Sequence, residues 1–337
     1  MDKRLTRQLY IIRALDIATF GYCFAIPVMV LYITDLFGQA EYYFYLAVVQ
    51  SFVVFSCGTL FGKVADKCGR KPALVAGLGF SIISWFLLFY APTLPLVVTA
   101  FLLRGVGEAF LGTSHSAYLF DLLQAHKANK RYNEEEAKKS SYGIIVITLL
   151  TLFAGFSYQV NPGLPFVLNF FFSFIMLLFV IFGLPNIKPH QKTASIPQPD
   201  KEKISEKIFT LKKPLVWLVF SQGVWFGIMN YIIFAYQAHF QDLGAGSIVI
   251  GIAISAVYIF RAAGAWLVGF KWHERHIGIA ALAAIVLIVL SALTSSILLV
   301  IGLLLLFSFA REFISTATIA LLTIKSPAQY RSMVHGT

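Results

Sequence analysis

Ten stretches of about 20 apolar residues, each long enough to cross the hydrocarbon core of a bilayer, leave this chain little choice of architecture. They run over 9–33, 42–63, 72–90, 95–119, 141–160, 163–184, 214–237, 247–270, 276–293 and 296–322. A water-soluble chain carries about 25% charged residues, whereas here 13% are charged and 58% are hydrophobic. That is too little polar surface to clothe a soluble domain of this length. The expected class is therefore an all-α polytopic membrane protein. The basic start, Met1-Asp2-Lys3-Arg4, runs into an apolar segment with no small-residue cleavage site, so it reads as a first span and not as a signal peptide.

The charges order these spans. Lys3, Arg4 and Arg7 precede the first, and Lys63, Lys67, Arg70 and Lys71 flank the second connection. Lys127, Lys130, Arg131, Lys138 and Lys139 occupy the fourth, and seven lysines fall between 188 and 213. Lys271 and Arg275 lie in the eighth connection, and Lys325 and Arg331 follow the tenth span. The connections near 34–41, 91–94, 161–162, 238–246 and 294–295 hold no Lys or Arg. By the positive-inside rule the N-terminus and the even-numbered connections face the cytoplasm. The net charge of +11 thus reports topology, and nucleic acid is not an expected partner. Cys23, Cys57 and Cys68 have neither disulfide nor metal-type spacing, and no cofactor is expected.

The only long polar connection, 185–213, contains Pro185, Pro189, Pro197 and Pro199 and divides six spans from four. Within it, Ile204, Ile208 and Leu211 recur at helical spacing, which allows a short amphipathic helix on the membrane surface or a plain linker. The two parts echo each other at an offset of roughly 205 residues: Gly62 matches Gly269 and Glu108 matches Glu312. Repeats of this kind are typical of transporters. Gly58 and Gly62, four apart, are expected to let a neighbouring backbone approach.

The second connection reads Gly62-Lys63-Val64-Ala65-Asp66-Lys67-Cys68-Gly69-Arg70-Lys71-Pro72-Ala73-Leu74. At every defining position it resembles the Gly-x-x-Ala-Asp-x-x-Gly-Arg-Lys-x-x-Leu signature between helices two and three of the major facilitator superfamily. Gly21 and Pro27 in the first span resemble a motif of drug-transporting members, and the 237–244 segment is similar to the end of helix seven in bacterial members. Gly105-Val106-Gly107-Glu108 is similar to their helix four, although Arg104 lies directly before the glycine instead of a turn earlier. The fifth span has Ala154-Gly155 where antiporters carry Gly-Pro, which weighs against drug–proton antiport.

The resemblance implies a six-helix N-terminal bundle over 1–184, a cytoplasmic linker over 185–213 and a partial C-terminal bundle over 214–337. It implies a gating network of Gly62, Asp66, Gly69, Arg70, Lys71 and Asp121 that closes the cytoplasmic side. Members have twelve spans and this sequence has room for ten, so a chain truncated after helix ten is expected. Ten-span transporters of another superfamily lack the signature and divide five and five.

Ionisable residues inside spans are costly and mark cavities or partners. Asp16, Arg104, Glu108, Arg261, Arg311 and Glu312 are the candidate proton or substrate groups, because burial favours the protonated form of a carboxylate. Arg13 with Asp16 and Arg104 with Glu108 are also spaced to neutralise each other along one helix face. Arg261 has no such partner on its own helix. In span seven, Gln222, Trp225, Asn230 and Tyr231 suit a solute cavity, while Tyr236 reads as an interface anchor. His115 fits a packing role better than a proton shuttle.

The functional expectation is a monomeric secondary transporter of the bacterial inner membrane. It moves a small solute by alternating access, coupled to H⁺ and more in the sense of export. The competing expectations are an inactive truncated product and an intramembrane enzyme. His273-Glu274-Arg275-His276 misses the zinc motif, whose second histidine would stand at Ile277, and no phosphate-binding loop is present for ATP-driven pumping.

Overall fold

A backbone placed in hydrocarbon must close its own hydrogen bonds, and the described elements of this chain are all helical. The computed structural model describes residues 3–19, 24–90, 93–128, 131–187, 231–268 and 274–325. Some side chains within these ranges, Asp16, Glu134 and Glu136 among them, lie outside the description. So do Gly21, Gln222, Trp225, Asn230, Gly269 and the whole 185–213 connection beyond residue 187.

The helices are α1 (Lys3–Thr19), α2 (Met29–Phe37), α3 (Glu41–Cys68), α4 (Arg70–Tyr90), α5 (Leu94–Ala125), α6 (Tyr132–Val160) and α7 (Leu164–Gly183). Helical residues 231–242 form α8, followed by α9 (Ser247–Leu267), α10 (Glu274–Leu293) and α11 (Ile297–Lys325). Seven of them, α4 to α7 and α9 to α11, contain stretches long and apolar enough to span a bilayer, matching expected spans three to six and eight to ten. The segments Ile26–Phe37 and Glu41–Gly58 meet the same measure together, across a 119° bend. Gly38 makes that bend: its φ of 78° ends α2 while its amide donates to Thr34 O at 2.7 Å.

The 9–33 span is not one helix. α1 is described as far as Thr19, a 3-10 turn covers Ile26–Val28, and α2 starts at Met29. Pro27, early in that turn, has no amide hydrogen to give to a preceding carbonyl, so a continuous α-helix is not maintained through it.

Two compact units divide the chain. The first comprises Met1–Pro189 with Ala245–Ser255, and the second His190–Gly244 with Ala256–Thr337. In the first, Leu9, Ile12 and Leu15 of α1, Leu74 and Leu78 of α4, Leu111, Tyr118 and Leu122 of α5, and Met176 and Val180 of α7 form one buried core. In the second, Tyr236 of α8 and Phe307 of α11 pack ring to ring at 6.4 Å, and the Tyr236 hydroxyl bonds to Ser291 Oγ at 2.5 Å. Tyr236 is therefore a core residue and not an interface anchor: its hydroxyl has a protein partner and its ring a protein wall.

The close helix crossings fall elsewhere than at Gly58 and Gly62. A Cβ on Gly58 would meet nothing within 4 Å, and one on Gly62 only Thr113 at 3.9 Å, which is ordinary contact. The tight crossings are α4 on α5, where a Cβ on Gly107 would stand 2.9 Å from Gly77 O, and α3 on α5, where one on Gly105 would stand 2.8 Å from Gln50 O. Gly155 of α6 is tighter still against Ser247 O of α9, at 2.2 Å, and Gly264 of α9 lies against Phe309 O of α11 at 2.3 Å. Small residues at a crossing let backbones approach where lipid supplies no hydrophobic drive to associate.

Candidate functional site

The signature loop is built by one glycine and three charges. α3 ends as the Gly69 amide donates to Ala65 O at 3.0 Å, and α4 begins at the very next residue. Gly69 takes φ 100° and ψ 151°, a conformation almost reserved for glycine. Its missing Cβ would meet Pro72 Cδ only at 3.5 Å, so the requirement is dihedral and not steric. Gly69→Ala is expected to cost about 1–3 kcal/mol, read as a lower unfolding midpoint in detergent. A midpoint equal to the parent's would refute this backbone conformation.

That turn aims Arg70 at two carboxylates. Arg70 pairs with Asp66 across the α3–α4 junction, and its Nε stands 4.0 Å from Asp121 Oδ2 near the end of α5. The three-residue network expected of Asp66, Arg70 and Asp121 is present in the first unit. Lys71 does something else: its Nζ donates to Ile181 O at 2.7 Å and Leu184 O at 2.8 Å. It thereby satisfies carbonyls at the C-terminal end of α7, where a cation is favoured. Gly62 is part of the signature by sequence but makes no close approach among the described residues.

Within the apolar span of α5, Arg104 Nε lies 3.2 Å from Glu108 Oε1, the self-neutralised pair that the spacing allowed. Two further groups complete it. Gln50 of α3 donates from Nε2 to Glu108 Oε2 at 2.7 Å, and the Trp85 ring of α4 lies 4.1 Å from the Arg104 guanidinium carbon. Arg104 is only 3% exposed, so its charge is held by a carboxylate, an aromatic face and little water. Gln50 and Trp85 carry no sequence signal of this role; each reads as one more residue of an apolar helix.

The second unit holds a comparable pair assembled from two helices. Arg261 Nε of α9 donates to Glu312 Oε2 of α11 at 2.8 Å, and the Tyr258 ring lies 5.4 Å from the Arg261 guanidinium. This supplies the partner that Arg261 lacks on its own helix. Arg311, 2% exposed, lies within the electrostatic reach of both Arg261 and Glu312. Tyr231, the one cavity candidate of span seven within the described residues, is half-buried in α8.

Arg13 has a partner that its spacing did not suggest. It reaches Glu135 Oε2 of α6 at 2.5 Å, 122 residues away. Asp16 lies in α1, and its side chain is outside the description. His115 packs as expected, with Nε2 3.1 Å from Ile12 O. At the other end of the first unit, the Tyr158 hydroxyl donates to Asp35 Oδ2 at 2.5 Å.

The family described as Major Facilitator Superfamily matches residues 9–337. Among curated proteins, the chain is 39% identical over 62 residues to the major facilitator superfamily multidrug transporter mfsB of Aspergillus fumigatus, covering 18% of this chain and 10% of that protein. It is 25% identical over 130 residues to the multidrug resistance protein MdtH of Blochmanniella floridana, covering 38% of this chain and 32% of that protein. The matches thus span about a tenth and about a third of those relatives' lengths. Among solved structures, an inward-facing bacterial homologue of the human lysosomal transporter Spinster superposes with a TM-score of 0.78 at 16% identity, over 99% of this chain and 78% of that one. The nucleoside transporter NupG gives 0.72 at 15% identity, covering 100% and 86%. A D-xylose–proton symporter gives 0.67 at 16% identity, covering 96% and 84%.

Proposed function

Because this chain belongs to the major facilitator superfamily, we propose that it is a secondary active transporter moving a small solute by alternating access. The observation that carries the reading is an ion pair held inside the apolar spans of each unit, Arg104–Glu108 in one and Arg261–Glu312 in the other. Charges at such depth are expensive in lipid and mark solute or ion pathways. Glu108 and Glu312 are the proton-carrying groups of this proposal, since protonating either one releases its arginine to a solute or to a new partner. The Asp66–Arg70–Asp121 network acts as the gate latch at the end where the basic loops gather.

The remaining assignments follow from sequence and charge placement. The chain sits in a bacterial inner membrane as a monomer with its N-terminus in the cytoplasm, and 1–184 and 214–337 act as the two moving bundles about the 185–213 linker. Partial likeness to multidrug transporters supports export over import. No chemical conversion of the solute is assigned to the chain.

Proteoliposomes loaded with a pH-sensitive dye and given an inward proton gradient provide the test. With ethidium, D-xylose or a nucleoside as trial solute, solute addition is expected to change the rate of proton entry. Glu108→Gln and Glu312→Gln are each expected to reduce coupled proton movement at least tenfold while leaving the protein folded. Solute flux that continues unchanged in both variants would overturn the proton assignment. A folded protein that moves none of the three solutes, with or without a gradient, would count against the transport reading.

A further inference from the structure

A charged cavity that the transport reading does not use opens between α1 and α6. It has a volume of about 250 Å³ and is lined by Tyr10, Arg13, Arg131, Glu135, Lys138 and Tyr142, with Thr6 and Leu9 behind them. Glu135 is 1% exposed and takes three cations, Arg13 at 2.5 Å, Arg131 at 3.0 Å and Lys138 at 3.9 Å. Arg13 forms the floor, with its guanidinium between the Tyr10 and Tyr142 rings at 5.3 and 5.2 Å. Its Nε is buried and has no hydrogen-bond partner among the described residues. Arg131 and Lys138 are more exposed and form the mouth. Positive charge dominates even when the neighbouring Glu134 and Glu136 are counted, because Lys127, Lys130 and Lys139 belong to the same segment.

What lies beyond the mouth identifies the occupant. From Lys138 the same face of α6 continues through Tyr142, Ile145, Leu149, Phe153, Phe156 and Val160, at spacings of three and four. All six are exposed large hydrophobic side chains. One helix face is thus cationic at one end and uncovered and apolar for the next five turns, the pattern of an amphiphile with an anionic head. Tyr10 and Tyr142, both exposed, stand where the two regimes meet, at the level aromatic side chains take in a membrane interface.

We propose that this cavity binds the phosphate group of an anionic phospholipid, whose acyl chains lie along the exposed face of α6. A phosphate oxygen accepts from the Arg13 guanidinium at the floor of the cavity. Arg131 and Lys138 neutralise the remaining charge at the mouth, and Glu135 holds the three cations in place. A soluble phosphate offers the same oxygens but nothing to cover the apolar face. The lipid therefore matches the whole surface, and the free anion only its polar end. The proposal requires the chain to span a membrane and is independent of which solute it moves.

The test uses the full chain in detergent, with lipid adducts measured by native mass spectrometry. Phosphatidylglycerol and phosphatidylcholine of identical acyl chains are titrated in parallel, with inorganic phosphate as a third arm. Phosphatidylglycerol is expected to saturate one site at a concentration at least tenfold below phosphatidylcholine. The Arg131→Gln/Lys138→Gln double variant, altered only at the exposed mouth, is expected to lose about 30-fold, the effect of two basic groups at an anionic surface. Lys67→Gln, an exposed basic residue outside the cavity, is expected to bind as the parent does. Equal binding of the two lipids, or an equal loss in Lys67→Gln, would overturn the proposal by showing that surface charge alone is at work. Displacement of phosphatidylglycerol by millimolar inorganic phosphate would make the site one for soluble anions and overturn the lipid assignment.

Discussion

Arg261→Leu is expected to destabilise the protein by about 3–5 kcal/mol, because it leaves the Glu312 carboxylate in an apolar span without its counter-charge. The two charged groups meet at 2.8 Å and come from different helices, so the loss also removes a tie between α9 and α11. Arg261→Lys keeps the charge but loses the Nε–H that reaches Oε2, and an intermediate effect is expected. The Arg261→Leu/Glu312→Leu double variant is expected to recover part of the lost stability, since the two paired charges go together while Arg311, within reach of both, keeps its own. It should not recover transport. Unfolding midpoints of the four proteins in one detergent form a double-mutant cycle whose coupling energy measures the pair. A single variant as stable as the parent, or a double variant as unstable as the single, would show that the pair is not formed.

Gly155→Ala is the second large effect, expected to cost about 3 kcal/mol, the upper end of the range for overpacking. An added methyl would lie 2.2 Å from Ser247 O, 2.8 Å from Ser247 C and 2.9 Å from Ile248 Cα. These are backbone atoms, so no rotamer change relieves the clash and the start of α9 must move away from α6. The hydrogen bond from Ser247 Oγ to Gly155 O, 3.0 Å, is then lost too. Gly112→Ala is the matched control: nothing lies within 4 Å of its Cβ position, and alanine favours helix over glycine by up to about 1 kcal/mol. Its midpoint is expected to equal or exceed the parent's. Equal midpoints for the two variants would rule out the α6–α9 crossing.

These effects illustrate which parts of the site could be read along the chain. The Arg104–Glu108 pair is four residues apart on one helix, so helical spacing alone brings it together, whereas the Asp66–Arg70 pair, also four apart, is joined by the Gly69 turn. Gly69 was legible because one short loop needs a conformation other residues resist. The Arg13–Glu135 pair was not, since the two residues are 122 apart and the sequence position of α6 carries no hint of contact with α1. Gly58 and Gly62 show the same limit from the other side. A small residue permits a crossing, but only a neighbour arriving at that height makes one, and the crossings formed at Gly77, Gly105, Gly107, Gly155 and Gly264 instead.

Tyr236 is instructive for the same reason. An aromatic ring near a helix end is apolar with one polar tip, and that chemistry suits a membrane interface as well as a core with a waiting hydroxyl. Position along the helix could not choose between them; Ser291 did. Pro27 lies between the two cases. Its missing donor makes a break in the first apolar stretch foreseeable, yet the 3-10 turn and the separate α2 depend on what the following residues pack against.

The sequence by itself determined the solvent, the element type and the family: apolar length demands lipid, lipid demands helices, and one loop carries a signature. Those are local properties, encoded within about 20 consecutive residues or within a single turn. Only the tertiary structure decided which charge answers which. In lipid every ionised group needs a partner, and the partner is set by which helices pack side by side, with axes about 8–10 Å apart, so that their side chains meet. Arg261 with Glu312, Arg13 with Glu135, and Gln50 with Glu108 are the outcomes of that geometry.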